Sequence, residues 1–298
     1  MKRRFALALA ALLLAAAQAS ASPKPFAMTV DPQWLDSHLS DPCLVILHLG
    51  KKEEYDQRHI PGARFVRLSD IAVDRDEQTL QMPDSADLKR RLGALGIGND
   101  SHVVVYFGKD WVSPATRVIY TLYAAGLGER VALLDGGLDE WTRLGKPVTA
   151  RPPQAAASPG PDLALRPAVV DADFVRAHVR KAGYVLADAR ARVYYDGIEP
   201  SGDMRKLRKG HIPGAVSLPF TDVVGLDNKL KPRAELEAMF RAAGITPASH
   251  LIVYCHIGQQ ATAVLFAARM LGIDAVLYDG SFEDWTWRDG PVEARANQ

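Results

Sequence analysis

The chain has 298 residues, 48% hydrophobic and 24% charged, an ordinary globular composition with room for about two domains. With 36 basic against 35 acidic residues the net charge is +1, so composition gives no sign of a nucleic-acid or strongly acidic partner. Two cysteines, Cys43 and Cys255, with no closely spaced Cys/His set, argue against a disulfide framework and against a zinc site.

The first stretch reads as a leader rather than as part of the fold. Lys2, Arg3 and Arg4 precede an apolar run from Phe5 to Ala17, and Ala19-Ser20-Ala21 fits a small-x-small cleavage site. This pattern predicts a secretory signal peptide over residues 1–21, too short for a spanning helix. Cleavage after Ala21 leaves 298 − 21 = 277 residues. The mature protein is then expected to be periplasmic or secreted, with no membrane segment, and its thiols face an oxidising compartment.

A short helix is expected from Val30 to Leu39, capped near Asp31, followed by an apolar strand from Leu44 to Leu49. His59-Ile60-Pro61-Gly62-Ala63 comes next, then a variable loop and a helix around Ala86 to Leu95, ended by Gly96 and Gly98. His102 to Phe107 reads as a strand, Ala115 to Ala125 as a helix and Val131 to Leu134 as a strand. Asp135-Gly136-Gly137-Leu138-Asp139-Glu140-Trp141 closes this half.

The same order then recurs. Val185 to Ala187 is a strand, and His211-Ile212-Pro213-Gly214-Ala215 repeats the earlier pentapeptide. Helix Ala234 to Ala243, strand Leu251 to Tyr254, helix Ala261 to Leu271 and strand Ala275 to Tyr278 follow, then Asp279-Gly280-Ser281-Phe282-Glu283-Asp284-Trp285. His59 and His211 are 152 residues apart, Tyr106 and Tyr254 148, Trp141 and Trp285 144. So steady a spacing indicates duplication of one domain. The copies are expected over 22–150 and 162–298, joined by a Pro/Ala-rich linker at 151–161. Strands alternating with helices predict an α/β fold with a mostly parallel sheet in each copy and active groups at the carboxyl ends of the strands.

One of those ends carries a thiol. Cys255 follows the apolar Leu251–Tyr254 strand and precedes a Gly-containing loop and a helix. Loop N–H groups and a helix N-terminus converge there and favour an anion. The expected consequence is a depressed thiol pKa and a nucleophilic thiolate. The first copy has Phe107 in that place, so only the second copy can be catalytic through this thiol. Cys43 lies just before a strand, on no strand-to-helix loop, and reads as structural.

The duplicated His-Ile-Pro-Gly-Ala motifs, the Tyr254-Cys255 loop and the Asp-Gly-x-x-x-x-Trp closings at Asp135 and Asp279 resemble the tandem-domain form of the rhodanese superfamily, over essentially the whole mature chain. The resemblance implies two rhodanese-like domains, each with helices on both faces of its sheet, the first non-catalytic. It implies a thiosulfate or 3-mercaptopyruvate sulfurtransferase working through a Cys255 persulfide, with small-molecule sulfur donors and acceptors. It implies no cofactor and no metal, and the expected state is a monomer.

The loop Cys255-His256-Ile257-Gly258-Gln259-Gln260 has neither the Arg-Lys that follows the cysteine in the common thiosulfate enzymes nor the Gly-Ser of the mercaptopyruvate enzymes. His256 is read either as a loop residue or as a cation for an anionic donor, titrating at ~6.5 if unperturbed. In the second case kcat/KM has a bell-shaped pH dependence, rising with Cys255 and falling with His256. Ile257, Gly258, Gln259 and Gln260 complete the expected donor-binding loop. Asp188-Ala189-Arg190 matches an Asp-x-Arg of the family; Arg190 either braces the loop through Asp188 or binds donor, and Tyr194 takes the place of the family's binding arginine. His211 and Trp285, repeated in the inactive copy, are expected to be structural. Arg205, Lys206, Arg208 and Lys209 either steer anions or form a solvated loop. A phosphatase of related fold needs a phosphate-clamping arginine where this chain has Ala261. A persulfide carrier without turnover needs the same Cys255 and stays open at this point.

Overall fold

A computed structural model describes residues 26–109, 112–154, 157–202 and 206–294; the predicted signal peptide and Arg205 lie outside them. The first copy runs β1 (Thr29–Val30), α1 (Pro32–His38), β2 (Leu44–Leu49), α2 (Lys52–Gln57), β3 (Arg64–Val66), a hairpin of β4 (Val73–Arg75) and β5 (Gln78–Gln81), α3 (Ser85–Ala94), β6 (His102–Phe107), α4 (Val112–Leu122), β7 (Val131–Leu134) and α5 (Gly137–Arg143). The second runs β8 (Val169–Val170), α6 (Ala172–His178), β9 (Tyr184–Asp188), α7 (Arg192–Tyr195), a hairpin of β10 (Pro200–Ser201) and β11 (Arg208–Lys209), β12 (Val216–Ser217), α8 (Arg233–Ala242), β13 (His250–Tyr254), α9 (Ala261–Met270), β14 (Asp274–Tyr278) and α10 (Ser281–Trp287).

Each copy builds a five-stranded sheet, in the orders β1-β7-β6-β2-β3 and β8-β14-β13-β9-β12. The pairings within both are parallel. A parallel sheet is covered on both faces, and the β-branched run Val103-Val104-Val105 of β6 is buried along its whole length for that reason. The helices begin where side chains can satisfy their free N–H groups. Asp31 accepts from the Trp34 N–H at 2.7 Å, with Pro32 at the first helical position, and Asp171 accepts from the Phe174 N–H at 2.8 Å.

The repeated pentapeptides serve the same structural purpose twice. The N–H of Ile60 donates to the Tyr106 hydroxyl at 3.1 Å, and that of Ile212 to the Tyr254 hydroxyl at 3.0 Å. His59 stacks on Tyr55 and His211 on Tyr195, with ring centroids 3.9 and 3.8 Å apart. Trp141 and Trp285 each donate Nε1–H to a proline carbonyl, Pro147 and Pro291, at 2.8 Å.

The two copies share one core. Helices α4 and α9 pack on each other between the two sheets, and their apolar side chains join a single cluster that crosses from one domain to the other. This explains why α4 is buried nearly all round, including Ser113, Thr116 and Arg117. A surface helix would leave one face to water. The β4–β5 hairpin crosses to the second domain, where the Met82 N–H donates to Asp279 at 2.9 Å. In return the Leu230 N–H of the second domain donates to Asp135 at 3.0 Å.

Candidate active site

Strand β13 ends at Tyr254 and delivers Cys255 to the carboxyl edge of the second sheet, as the hydrophobic run requires. The loop from Cys255 to Gln260 then turns into α9. Backbone N–H groups of Ile257, Gly258, Gln260 and Ala261 all face the thiol, so the loop forms the expected cradle. Gly258 has φ +78°, and a Cβ there would lie 2.6 Å from the Asp279 carbonyl oxygen. Only glycine fits that turn.

The thiol itself departs from expectation. Cys255 is fully buried, and burial pushes its pKa above the ordinary thiol value, while the four loop N–H groups pull it back. Desolvation of the charged form outweighs the cradle in this closed arrangement, so the depressed pKa expected from local sequence is corrected here.

Behind the loop stands Ser281. Its hydroxyl accepts from the Cys255 N–H at 3.1 Å and donates to the Tyr278 carbonyl at 2.8 Å. Ser281 has φ +54°, a left-handed conformation that costs a non-glycine residue of order 1 kcal/mol. Its counterpart Gly137 has φ +57°, and a Cβ there would meet the Phe107 carbonyl at 2.7 Å. The second copy keeps the strained serine where the first has a free glycine. The hydroxyl under Cys255 is what that serine contributes.

Arg190 is fully buried and bound as a strut. Its Nε and Nη2 donate to the Asp188 carboxylate and Nη2 also to the Gly210 carbonyl at 2.8 Å, with the guanidinium 3.9 Å from the Phe282 ring centroid. Tyr254 donates its hydroxyl to the same Asp188 at 2.8 Å. Of the two roles open in sequence, bracing matches this geometry. The Arg190 Nη1 is buried without a hydrogen-bond partner, while the guanidinium charge is paired with the Asp188 carboxylate.

His256 is held by groups far away in sequence. Its Nδ1 hydrogen-bonds the Ser201 hydroxyl at 2.5 Å, and its ring stands edge-on to Tyr194, centroids 4.7 Å apart. Burial, helped by the charge of Arg190, lowers its pKa to about 4. His256 is therefore neutral near pH 7, and of the two readings open in sequence the loop residue matches this geometry: the solvent that would stabilise an imidazolium is displaced by the β10–β11 hairpin and Tyr194. Gln259 donates Nε2–H to Ser113 of the first domain at 3.2 Å, so it ties the loop across the domain boundary. Lys206 donates to Asp289 and the Trp287 carbonyl on the exposed side of the same hairpin.

Three residues that shape the site, Ser281, Ser201 and Arg117, were not marked in the sequence. Ser281 could have been found by comparing Asp-Gly-Gly with Asp-Gly-Ser in the two closings. Ser201 and Arg117 have no local signal, since their partners lie 55 and 141 residues away. Among the described residues no group of three or more His, Cys, Asp or Glu side chains is placed to hold a metal ion.

The chain matches the model of the "Rhodanese-like domain" twice, over residues 31–144 and 171–287. It is 32% identical over 254 residues to thiosulfate sulfurtransferase of Mus musculus, covering 83% of each chain. It is 28% identical over 288 residues to 3-mercaptopyruvate sulfurtransferase of Homo sapiens, covering 92% of this chain and 96% of that one. In fold it superposes with a TM-score of 0.80 on an anaerobic ergothioneine biosynthesis enzyme from Chlorobium limicola, at 23% identity and covering 91% of this chain and 71% of the other.

Proposed function

The chain belongs to the rhodanese family and to its sulfur-transferring tandem-domain members, and on that premise we propose that it moves sulfane sulfur through a persulfide on Cys255, with thiosulfate as a donor. One observation carries this reading: the thiol at the end of β13 is ringed by four backbone N–H groups, and the first copy has Phe107 in its place.

The Cys255 thiolate attacks the outer sulfur of thiosulfate. The sulfur–sulfur bond of the donor breaks, sulfite leaves with the electron pair, and a Cys255 persulfide anion remains. The loop N–H groups stabilise that anion, whose charge is spread onto the terminal sulfur. An acceptor such as cyanide then takes the terminal sulfur, giving thiocyanate and regenerating the thiolate in a double-displacement cycle. Neutral His256 and the absence of an Arg-Lys pair after Cys255 leave a dianionic donor to the backbone N–H groups of the loop. Weak but real thiosulfate turnover with poor apparent affinity follows. The leader at residues 1–21 supports action outside the cytoplasm, in the periplasm or after secretion.

The test is steady-state turnover with thiosulfate and cyanide, set against mercaptopyruvate, together with mass spectrometry of Cys255 after donor alone. Thiocyanate over many cycles, a gain of one sulfur atom on Cys255 and loss of both in Cys255→Ser are expected. Mercaptopyruvate turnover far above that with thiosulfate would reassign the donor. A single loading without turnover would make the protein a carrier.

A further inference from the structure

Equivalent residues of the two domains touch where the domains meet. Thr116 near the start of α4 and Thr262 near the start of α9 share a hydrogen bond at 2.9 Å. Backbone N–H groups are exchanged in the same reciprocal way, Met82 to Asp279 and Leu230 to Asp135. The symmetry breaks at the next residue. Arg117 follows Thr116, whereas Ala263 follows Thr262.

Arg117 is fully buried and belongs to the domain without the thiol, yet its guanidinium is spent on the other domain's loop. Nη1 donates to the Gly258 carbonyl at 3.0 Å and to the Asp279 carboxylate at 2.5 Å. Nη2 donates to the Leu80 carbonyl of the crossing hairpin. Gly258 supplies one of the N–H groups facing Cys255, and Asp279 lies two residues before Ser281, which accepts from the Cys255 N–H. One guanidinium thus grips both walls of the cradle. Because a peptide unit is planar, fixing the Gly258 carbonyl fixes the plane linking Gly258 to Gln259. That plane sets the path from the Gly258 N–H to those of Gln260 and Ala261.

We infer that Arg117 of the first domain is a positioning residue for the Cys255 loop, and that the inactive copy holds the anion cradle of the active one in shape. This rests on the reading of Cys255 as the sulfur-carrying thiol. Without the grip, the Gly258–Gln259 plane is free to turn, the N–H groups lose their aim, and an anion on sulfur is less stabilised.

The test is the rate of Cys255 alkylation by iodoacetamide across pH, followed at that residue by mass spectrometry, in wild type, Arg117→Met, Arg117→Lys and Thr116→Val. The midpoint of the alkylation limb reports thiolate formation and does not depend on sulfur transfer. A loosened interface that lets water reach the thiol relieves its desolvation and moves the midpoint down, opposite to the shift expected from a lost grip. Arg117→Met is expected to move the limb upward, so that alkylation at a fixed pH below the midpoint falls about tenfold, less than the loss on removing a direct oxyanion donor. Arg117→Lys, which keeps the charge but not the two-pronged reach, is expected to fall between, and Thr116→Val to match wild type. Superimposed midpoints for Arg117→Met and wild type, a downward shift in Arg117→Met, or an equal shift in Thr116→Val, would overturn the inference. If Arg117→Met does not fold, an unmoved midpoint in Arg117→Lys overturns it and an upward shift sustains it. A shifted limb in a protein that forms no persulfide would leave this inference standing and sink the proposed function instead.

Discussion

Ser281 offers the sharpest physical test of how the thiol loop is held. Replacing it by alanine removes two buried hydrogen bonds, one accepted from the Cys255 N–H and one donated to the Tyr278 carbonyl. Each is worth ~1 kcal/mol net, and leaving the Cys255 N–H unsatisfied in the interior adds a further cost of ~1 kcal/mol or more. Ser281→Ala should therefore lose about 2–4 kcal/mol, because alanine keeps the same unfavourable φ of +54°. Ser281→Gly loses the same bonds but is at ease in the left-handed region, so it should be more stable than Ser281→Ala by ~1 kcal/mol. The assay is denaturant unfolding of both variants and wild type, with kcat/KM for thiosulfate measured alongside. Activity should fall in both variants, since the Cys255 backbone is no longer anchored. A Ser281→Ala protein as stable as wild type would show that the hydroxyl holds nothing. A Ser281→Gly protein less stable than Ser281→Ala would show that backbone strain plays no part.

Other expectations follow from burial and charge. Because the Cys255 pKa is raised, kcat/KM for thiosulfate should keep rising with pH past the ordinary thiol range, ~8.5. His256 titrates at about 4, so no falling limb near neutrality belongs to it; a falling limb at pH 6–8 that disappears in His256→Ala would contradict this. His48, buried with both ring nitrogens unpartnered, also has its pKa lowered to about 4. The unfolded chain binds a proton at ~6.5 that the folded chain refuses, so stability should fall as pH drops from about 6.5 towards 4, by at most ~3 kcal/mol from this residue. Unfolding curves of His48→Phe should be flatter over that window, and an unchanged slope would refute the assignment. Cys43→Ser should leave sulfur transfer intact, and a loss matching that of Cys255→Ser would indicate a two-cysteine mechanism.

Much of the fold was legible because the chain states it twice. The strands His102–Phe107 and Val131–Leu134 lie where the apolar runs end, and the duplicated motifs reflect a Tyr hydroxyl receiving the same backbone N–H in each copy. The contrast of Phe107 with Cys255 needed no coordinates. The two-residue strands β1 and β8 and the two hairpins were not legible, since so short a segment has no periodicity. Helix α4 includes Val112, three residues before the expected Ala115, and Val112 and Ser113 of its first turn are buried.

Sequence by itself determined the duplication, the parallel α/β halves and which half carries the thiol, because these depend on residue type and short-range order. Tertiary structure decided the electrostatics. A thiol at a loop of N–H groups has a low pKa only while water or a cation can reach it, and here the surrounding core reverses the balance. His256 is neutral because Tyr194 and Ser201 fold over it, and Arg117 reaches the loop only because two domains are packed face to face. Solvation and long-range contacts are properties of the assembled volume, and no spacing along the chain encodes them locally.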